Sequence, residues 1–138
     1  MNIDSIKNGI VIDHITAGKA LEIYNFLGLE ALSCSVAIIK NAPSKKLGKK
    51  DIIKIDSDFD VDIDILAYID PDATVNIIKD SKLVEKKKLK LPEKITNVIK
   101  CKNPRCITTT EQELPHIFKL TDKQNRIYRC VYCESKAK

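Results

Sequence analysis

The sequence predicts an α+β fold in two parts: an α/β sandwich over residues 1–91, then a small antiparallel β domain over residues 92–138 closed around four cysteines. Three observations predict it. Short β-branched runs alternate with two helix-spaced segments through the first part. A lysine run ends at Pro92, where the charge balance changes. Cys101-x4-Cys106 is followed, after twenty-three residues, by Cys130-x2-Cys133.

Taken in order, Ile10-Val11-Ile12 is a short β-branched strand that ends on the polar pair Asp13-His14. Thr16 reads as a helix cap, Ala17, Ala20, Leu21, Tyr24 and Leu27 recur at helical spacing, and Gly28 stands where a left-handed residue stops the helix. Between Ser33 and Ile39, the Cys34, Val36 and Ile38 side chains make one apolar face of a second strand, with Cys34 a small buried hydrophobe. Asn41 to Lys50, with Pro43, Ser44 and Gly48, reads as a loop, and Ile52, Ile53 and Ile55 as a third strand. Phe59, Val61, Ile63 and Ile65 alternate with aspartates, which fits a strand. Val61, Ile65, Tyr68 and Ile69 equally form a helical stripe, with Asp58 or Asp60 as cap and Pro71 just beyond. The order of the neighbouring elements favours the helix. Thr74 to Ile78 and Lys82 to Lys87 then form a hairpin around Lys79-Asp80-Ser81. Strand, helix, strand, strand, helix, strand, with one strand added, is the split βαβ plan of a ferredoxin-like sandwich.

The second part has 47 residues, too few for an apolar core alone to hold a fold. Its two cysteine pairs, Cys101 with Cys106 and Cys130 with Cys133, can bring four thiolates onto one tetrahedral Zn²⁺. With no position left for water, such a metal is structural, one per chain, and supplies folding free energy. Two disulfides are the rival reading, which requires an oxidising compartment. Met1 to Gly9 lacks the layout of a secretory signal, so a cytoplasmic location is expected. Ile95, Val98, Ile99, Ile107, Phe118, Ile127 and Val131 are the apolar residues available to wrap a small sheet around the site.

Composition excludes several functions. The purest apolar run, Val36 to Ile39, is far short of the roughly 20 residues that cross a bilayer. With two histidines, His14 and His116, no phosphate-cradling glycine loop and no nucleophile beside a base, nothing marks an enzyme. The seven aspartates of residues 56–72 read as a solvated acidic face. Residues 1–91 balance 14 lysines against 14 acids, so the net charge of +5 belongs to residues 92–138. Four thiolates with one Zn²⁺ would reduce that excess to about +3. Lys45, Lys46, Lys49, Lys50 and Lys54 precede the acidic stretch, and Lys79, Lys82, Lys86, Lys87 and Lys88 follow it. In the sandwich these groups can flank a polyphosphate as point charges.

Gly9-Ile-Val-Ile-Asp-His-Ile15, Gly48-Lys-Lys-Asp-Ile-Ile-Lys-Ile55, Ala73-Thr-Val-Asn-Ile-Ile78, Leu91-Pro-Glu-Lys-Ile95 and the four cysteines, in this order, resemble the regulatory chain of aspartate carbamoyltransferase essentially end to end. The resemblance implies a non-catalytic subunit. Its allosteric domain would bind the nucleoside triphosphates ATP, CTP and UTP, and its zinc domain would grip the catalytic chain, controlling pyrimidine biosynthesis. Regulatory chains of this kind pair through their allosteric domains, and three such homodimers bridge two catalytic trimers in a dodecamer. Carried over by position, the resemblance puts Asp13 near the ribose and His14, Lys50, Lys54 and Lys86 around the phosphates. Val11, Ile12, Asn76, Ile78 and Leu83 would line the base pocket, with Ser81 where the family can carry an aromatic residue. Asn103 and Glu134 match positions that touch the catalytic chain, whereas Arg105 and Ser135 differ from the family. The stretch from Lys88 to Pro92 would be the linker that transmits rigid-body motion. The alternative reading is a nucleic-acid-binding zinc ribbon, suggested by the basic second part with Tyr128 and Tyr132. The resemblance implies neither a nucleic acid nor a membrane as partner.

Overall fold

A computed structural model describes residues 6–45 and 48–137. The chain divides into two compact units between Lys90 and Leu91.

In the first unit, β1 (Gly9–Thr16), β2 (Val36–Ser44), β3 (Gly48–Ile55), β4 (Thr74–Lys79) and β5 (Lys82–Lys88) form one sheet in the order β2-β3-β1-β4-β5. Every neighbouring pair is antiparallel. This is the split βαβ order expected from the sequence, extended by β5 at one edge. Helices α1 (Ala20–Phe26) and α2 (Ile63–Ile69) bury Ala20, Ile23, Leu66 and Ile69 with Ile10, Ile12, Ile53, Ile55 and Val75 of the sheet. The core is therefore aliphatic, as a chain without tryptophan requires. Gly9 starts β1 because a Cβ there would collide with the Ile55 carbonyl of the neighbouring strand. Gly28, at φ 66°, ends the α1 segment in the left-handed conformation anticipated for it.

Three local expectations are corrected. Thr16 does not cap α1; it closes β1, and its amide donates to the buried Asp70 carboxylate at 2.6 Å. The helix begins after Lys19, and its amide end is satisfied from outside. Asp51 of β3, fully buried, accepts from the Gly18 and Ala20 amides at 2.9 and 3.3 Å. Residues 41–45 and 48–50 are not a loop but largely the arms of the β2–β3 hairpin. Pro43 is tolerated because β2 is an edge strand, and the irregularity at Asn41, φ 58°, is pinned by its amide donating to Asp51 at 2.9 Å. The cap of α2 is Asp62, not Asp58 or Asp60. Its carboxylate accepts from the Asp64 and Ile65 amides at 3.1 and 3.2 Å.

The β4–β5 hairpin turns through Asp80 and Ser81, both at positive φ, as a two-residue turn between right-twisted strands requires. Lys46 lies outside the described residues.

In the second unit, β6 (Lys94–Thr96), β7 (Ile117–Asp122) and β8 (Ile127–Cys130) form an antiparallel sheet, and the short helix α3 (Ile107–Thr110) follows Cys106. Ile95, Phe118 and Tyr128 are buried apolar side chains of this unit, beside three of the cysteines. Ile107 and Val131, expected to pack inward, are exposed, because each directly follows a cysteine whose side chain takes the inward position.

Candidate functional site

The second unit brings the four predicted cysteines together. Their sulfurs all lie within 4.8 Å of one another, with Cys101 to Cys133 at 3.5 Å and Cys106 to Cys130 at 3.7 Å. Zn–S bonds of about 2.3 Å put thiolates at tetrahedral corners about 3.8 Å apart, and the two measured sulfur pairs are close to that spacing, so this donor set fits zinc. Each pair sits on a tight main-chain turn. The Cys106 amide donates to Asn103, and the Glu134 amide to Cys130.

Polar groups crowd the sulfurs. The Thr108 hydroxyl, itself buried, donates to Cys106 Sγ at 3.1 Å, and the Cys101 amide donates to His116 Nδ1 at 3.2 Å. Burial, and hydrogen bonds that keep its proton, push the Cys101 thiol up to about 12, against the Asn103 amide, which favours its thiolate. Burial also raises Cys133, but hydrogen bonds from the Ser135 hydroxyl and amide, from Asn103 and from Cys101 outweigh it and lower that thiol to about 6. Without a cation Cys101 therefore keeps its proton beside the Cys133 sulfur. A divalent metal removes that conflict by neutralising adjacent thiolates.

On the first unit, the face of the sheet opposite the core carries most of the other predicted residues. Cross-strand partners in an antiparallel sheet share a face. Lys54 pairs with Val11, Val11 with Asn76, and Asn76 with Lys86, so one row crosses β3, β1, β4 and β5. Ile78 and Leu83, themselves paired, extend it toward the hairpin turn, with Leu83 58% exposed. Ile12 does not join them. It is fully buried on the core face, as the two-residue period of β1 demands, so its side chain cannot line this surface. Ile52, half-buried between Lys50 and Lys54 on β3, does belong to the face and was missed, although strand period alone could have found it.

Asp13 and His14 occupy an irregularity in β1, where the pairing with β3 shifts between Ile12 and Ile15. His14 adopts φ 57°, a strained conformation for a non-glycine residue, and its Nδ1 lies 3.2 Å from the Thr74 hydroxyl. Lys50 Nζ meets Asp13 Oδ1 at 2.9 Å. Burial raises the Asp13 carboxyl, but the Lys50 hydrogen bond and charge, with the His14 amide, hold it below its ordinary range. Lys54 and Lys86 have no ion-pair partner among the described residues. Nor does the Asn76 side-chain oxygen, in mid-row, have a hydrogen-bond partner, though it is buried. A buried carbonyl oxygen without a donor is costly, and with free cations beside it the face suits a ligand that carries both hydrogen-bond donors and negative charge.

At the metal knuckles, the Asn103 side chain is already engaged, donating to the Ser135 hydroxyl at 3.3 Å and accepting from the Arg105 amide at 3.0 Å. Glu134 is exposed and leaves the second knuckle at φ 64°, its carbonyl accepting from Arg129. No helix among the described residues is long and apolar enough to cross a membrane.

Comparison with known proteins finds two family models end to end. One, described as the allosteric domain of the aspartate carbamoyltransferase regulatory chain, matches residues 1–90; the other, described as its metal-binding domain, matches residues 93–138. A protein of Clostridium botulinum (strain Hall) named aspartate carbamoyltransferase regulatory chain is 54% identical over 97% of this chain and 92% of its own length. Proteins with the same name from Clostridium tetani and Bifidobacterium longum are 53% and 45% identical. They cover 97% and 100% of this chain, and 94% and 99% of their own lengths.

Proposed function

The chain belongs to the aspartate carbamoyltransferase regulatory chain family, and from that premise we propose that it binds a nucleoside triphosphate on the open sheet face and passes the effect to a catalytic chain. The observation that carries this reading is the buried, unpartnered Asn76 oxygen between Val11 and Lys86, in a row that begins at Lys54. Asn76 can offer a donor and an acceptor to a base edge, and Val11, Ile52, Ile78 and Leu83 offer apolar surface to the ring. Lys54 and Lys86 supply charge to the phosphates, His14 adds a ring nitrogen, and Lys50 is available once it exchanges Asp13 for phosphate. Asp13 then accepts from ribose hydroxyls.

In the metal unit, Cys101, Cys106, Cys130 and Cys133 hold one structural Zn²⁺, which fixes the knuckles that present Asn103 and Glu134 to the catalytic chain. Pairing of two regulatory chains through their allosteric units, and three such pairs bridging two catalytic trimers, makes the nucleotide a selector between two arrangements of the assembly. ATP and CTP, the latter alone or with UTP, would favour opposite arrangements in the control of cytoplasmic pyrimidine synthesis.

Calorimetric titration of the zinc-loaded chain with ATP and CTP tests the site. Both should bind, and Lys54→Ala or Lys86→Ala should each weaken binding about tenfold or more, since a charge-assisted contact contributes about 1.5–3 kcal/mol. Unchanged affinity in both variants would remove the nucleotide from this face.

A further inference from the structure

The chain has little slack between its two units. On the allosteric side, Lys88 is still paired with Thr74, and Leu89 packs against the unit's apolar core. On the metal side, Pro92 is already fastened. Its carbonyl accepts from the Tyr128 hydroxyl at 2.5 Å, and Tyr128 is only 3% exposed. The next carbonyl, of Glu93, accepts from the Leu120 amide at 2.8 Å, and Ile95 pairs with Phe118. Between these anchors, Lys90 and Leu91 carry no hydrogen bond among the described residues. Leu91 precedes a proline, whose ring steers it away from the α region toward extended conformations. The connector expected over Lys88 to Pro92 is thus narrowed to two residues, one of them restricted.

We propose that Tyr128 is a positioning residue of the allosteric response: its hydroxyl fixes where the chain enters the metal unit and keeps the connector too short to absorb a displacement. The inference rests on the regulatory reading above. Freeing Pro92 would add one residue to the connector, up to about 3.5 Å of reach. Shifts of elements at subunit interfaces are about 1–2 Å, so that added slack exceeds the signal it would carry. The ring and the hydroxyl of Tyr128 have separable roles. A phenylalanine fills the same buried space and removes the hydroxyl that reaches Pro92. Pro92 is half-buried, so water can replace the lost donor and the unit should stay folded.

The test compares wild-type and Tyr128→Phe chains, each loaded with zinc and assembled with the catalytic chain. Zinc content, nucleotide affinity and kcat should match within about twofold. The factor by which CTP or ATP shifts half-saturating aspartate should fall to half its wild-type value or less. In the free chain, ¹⁵N relaxation should show the Leu91 and Glu93 amides gaining nanosecond mobility while Phe118 and Leu120 keep theirs. A variant complex that retains the full wild-type factor overturns the inference alone, as does a Leu91 amide that stays as ordered as before. A wild-type assembly without any nucleotide effect overturns the regulatory reading, and the inference with it.

Discussion

Chelation of the metal should unfold residues 91–138 and leave the allosteric unit folded. Among the described residues the metal unit has three short strands and a buried apolar set of Ile95, Phe118 and Tyr128 beside the cysteines. Cores of such size rarely contribute more than about 3–5 kcal/mol, whereas zinc on a four-ligand site contributes about 10–16 kcal/mol near neutral pH. Removing the ion also leaves Cys101 protonated 3.5 Å from the Cys133 sulfur. The allosteric unit keeps its own core, centred on Ile12, Ile53, Ile55 and Leu66. Amide exchange before and after chelator should therefore show protection lost from Lys94 to Cys130 and kept from Gly9 to Lys88, with release of the catalytic chain. The Cys101→Ala variant should behave like the chelated chain. Persistent protection at Phe118 in metal-free protein would show that the staple is dispensable.

Replacing Asp51 by alanine should cost about 3–5 kcal/mol, near the upper end for a single side chain. The carboxylate is fully buried and accepts from three amides on two segments, Gly18 and Ala20 at the start of α1 and Asn41 in the edge strand. Each amide stranded without a partner costs about 1–3 kcal/mol. Asp51→Asn should be milder, since it turns one acceptor into a donor and retains the other. Urea unfolding of the zinc-loaded chain measures both. A loss below about 1 kcal/mol for the alanine variant would mean that the segments hold each other without this anchor.

Asp51 also marks where the sequence ceased to be legible. Thr16 looked like a cap because local rules place the cap within the helix's own segment, but the group that serves α1 comes from β3, thirty-one residues from Ala20. The same side chain explains why residues 41–45 and 48–50 are mostly strand rather than loop. Pro43 and Asn41 are breakers in isolation, yet an edge position and a buried anion accommodate them. Long-period features were legible: the aliphatic runs give the strands, and Gly28 ends α1. The cysteine spacing brings four sulfurs to one point. For the sheet face, the resemblance named most members, but only register separates Val11, which faces the row, from Ile12, which faces the core. Ile52 was open to the same two-residue period. Tyr128 carried no signal of this role, because the role depends on which carbonyl the folded unit sets before it.

The most direct test of the regulatory reading is the half-saturating aspartate concentration of the complex with the catalytic chain from the same source, measured with no nucleotide, with ATP and with CTP. The zinc-loaded chain should associate with the trimers, and at least one nucleotide should move half-saturation by about fivefold or more, the lower end of ordinary allosteric coupling. The Lys54→Ala chain should assemble equally well and respond much less at the same nucleotide concentration. A stable complex whose aspartate saturation is identical under all three conditions would contradict the account, and so would failure of the zinc-loaded chain to bind the trimers at all.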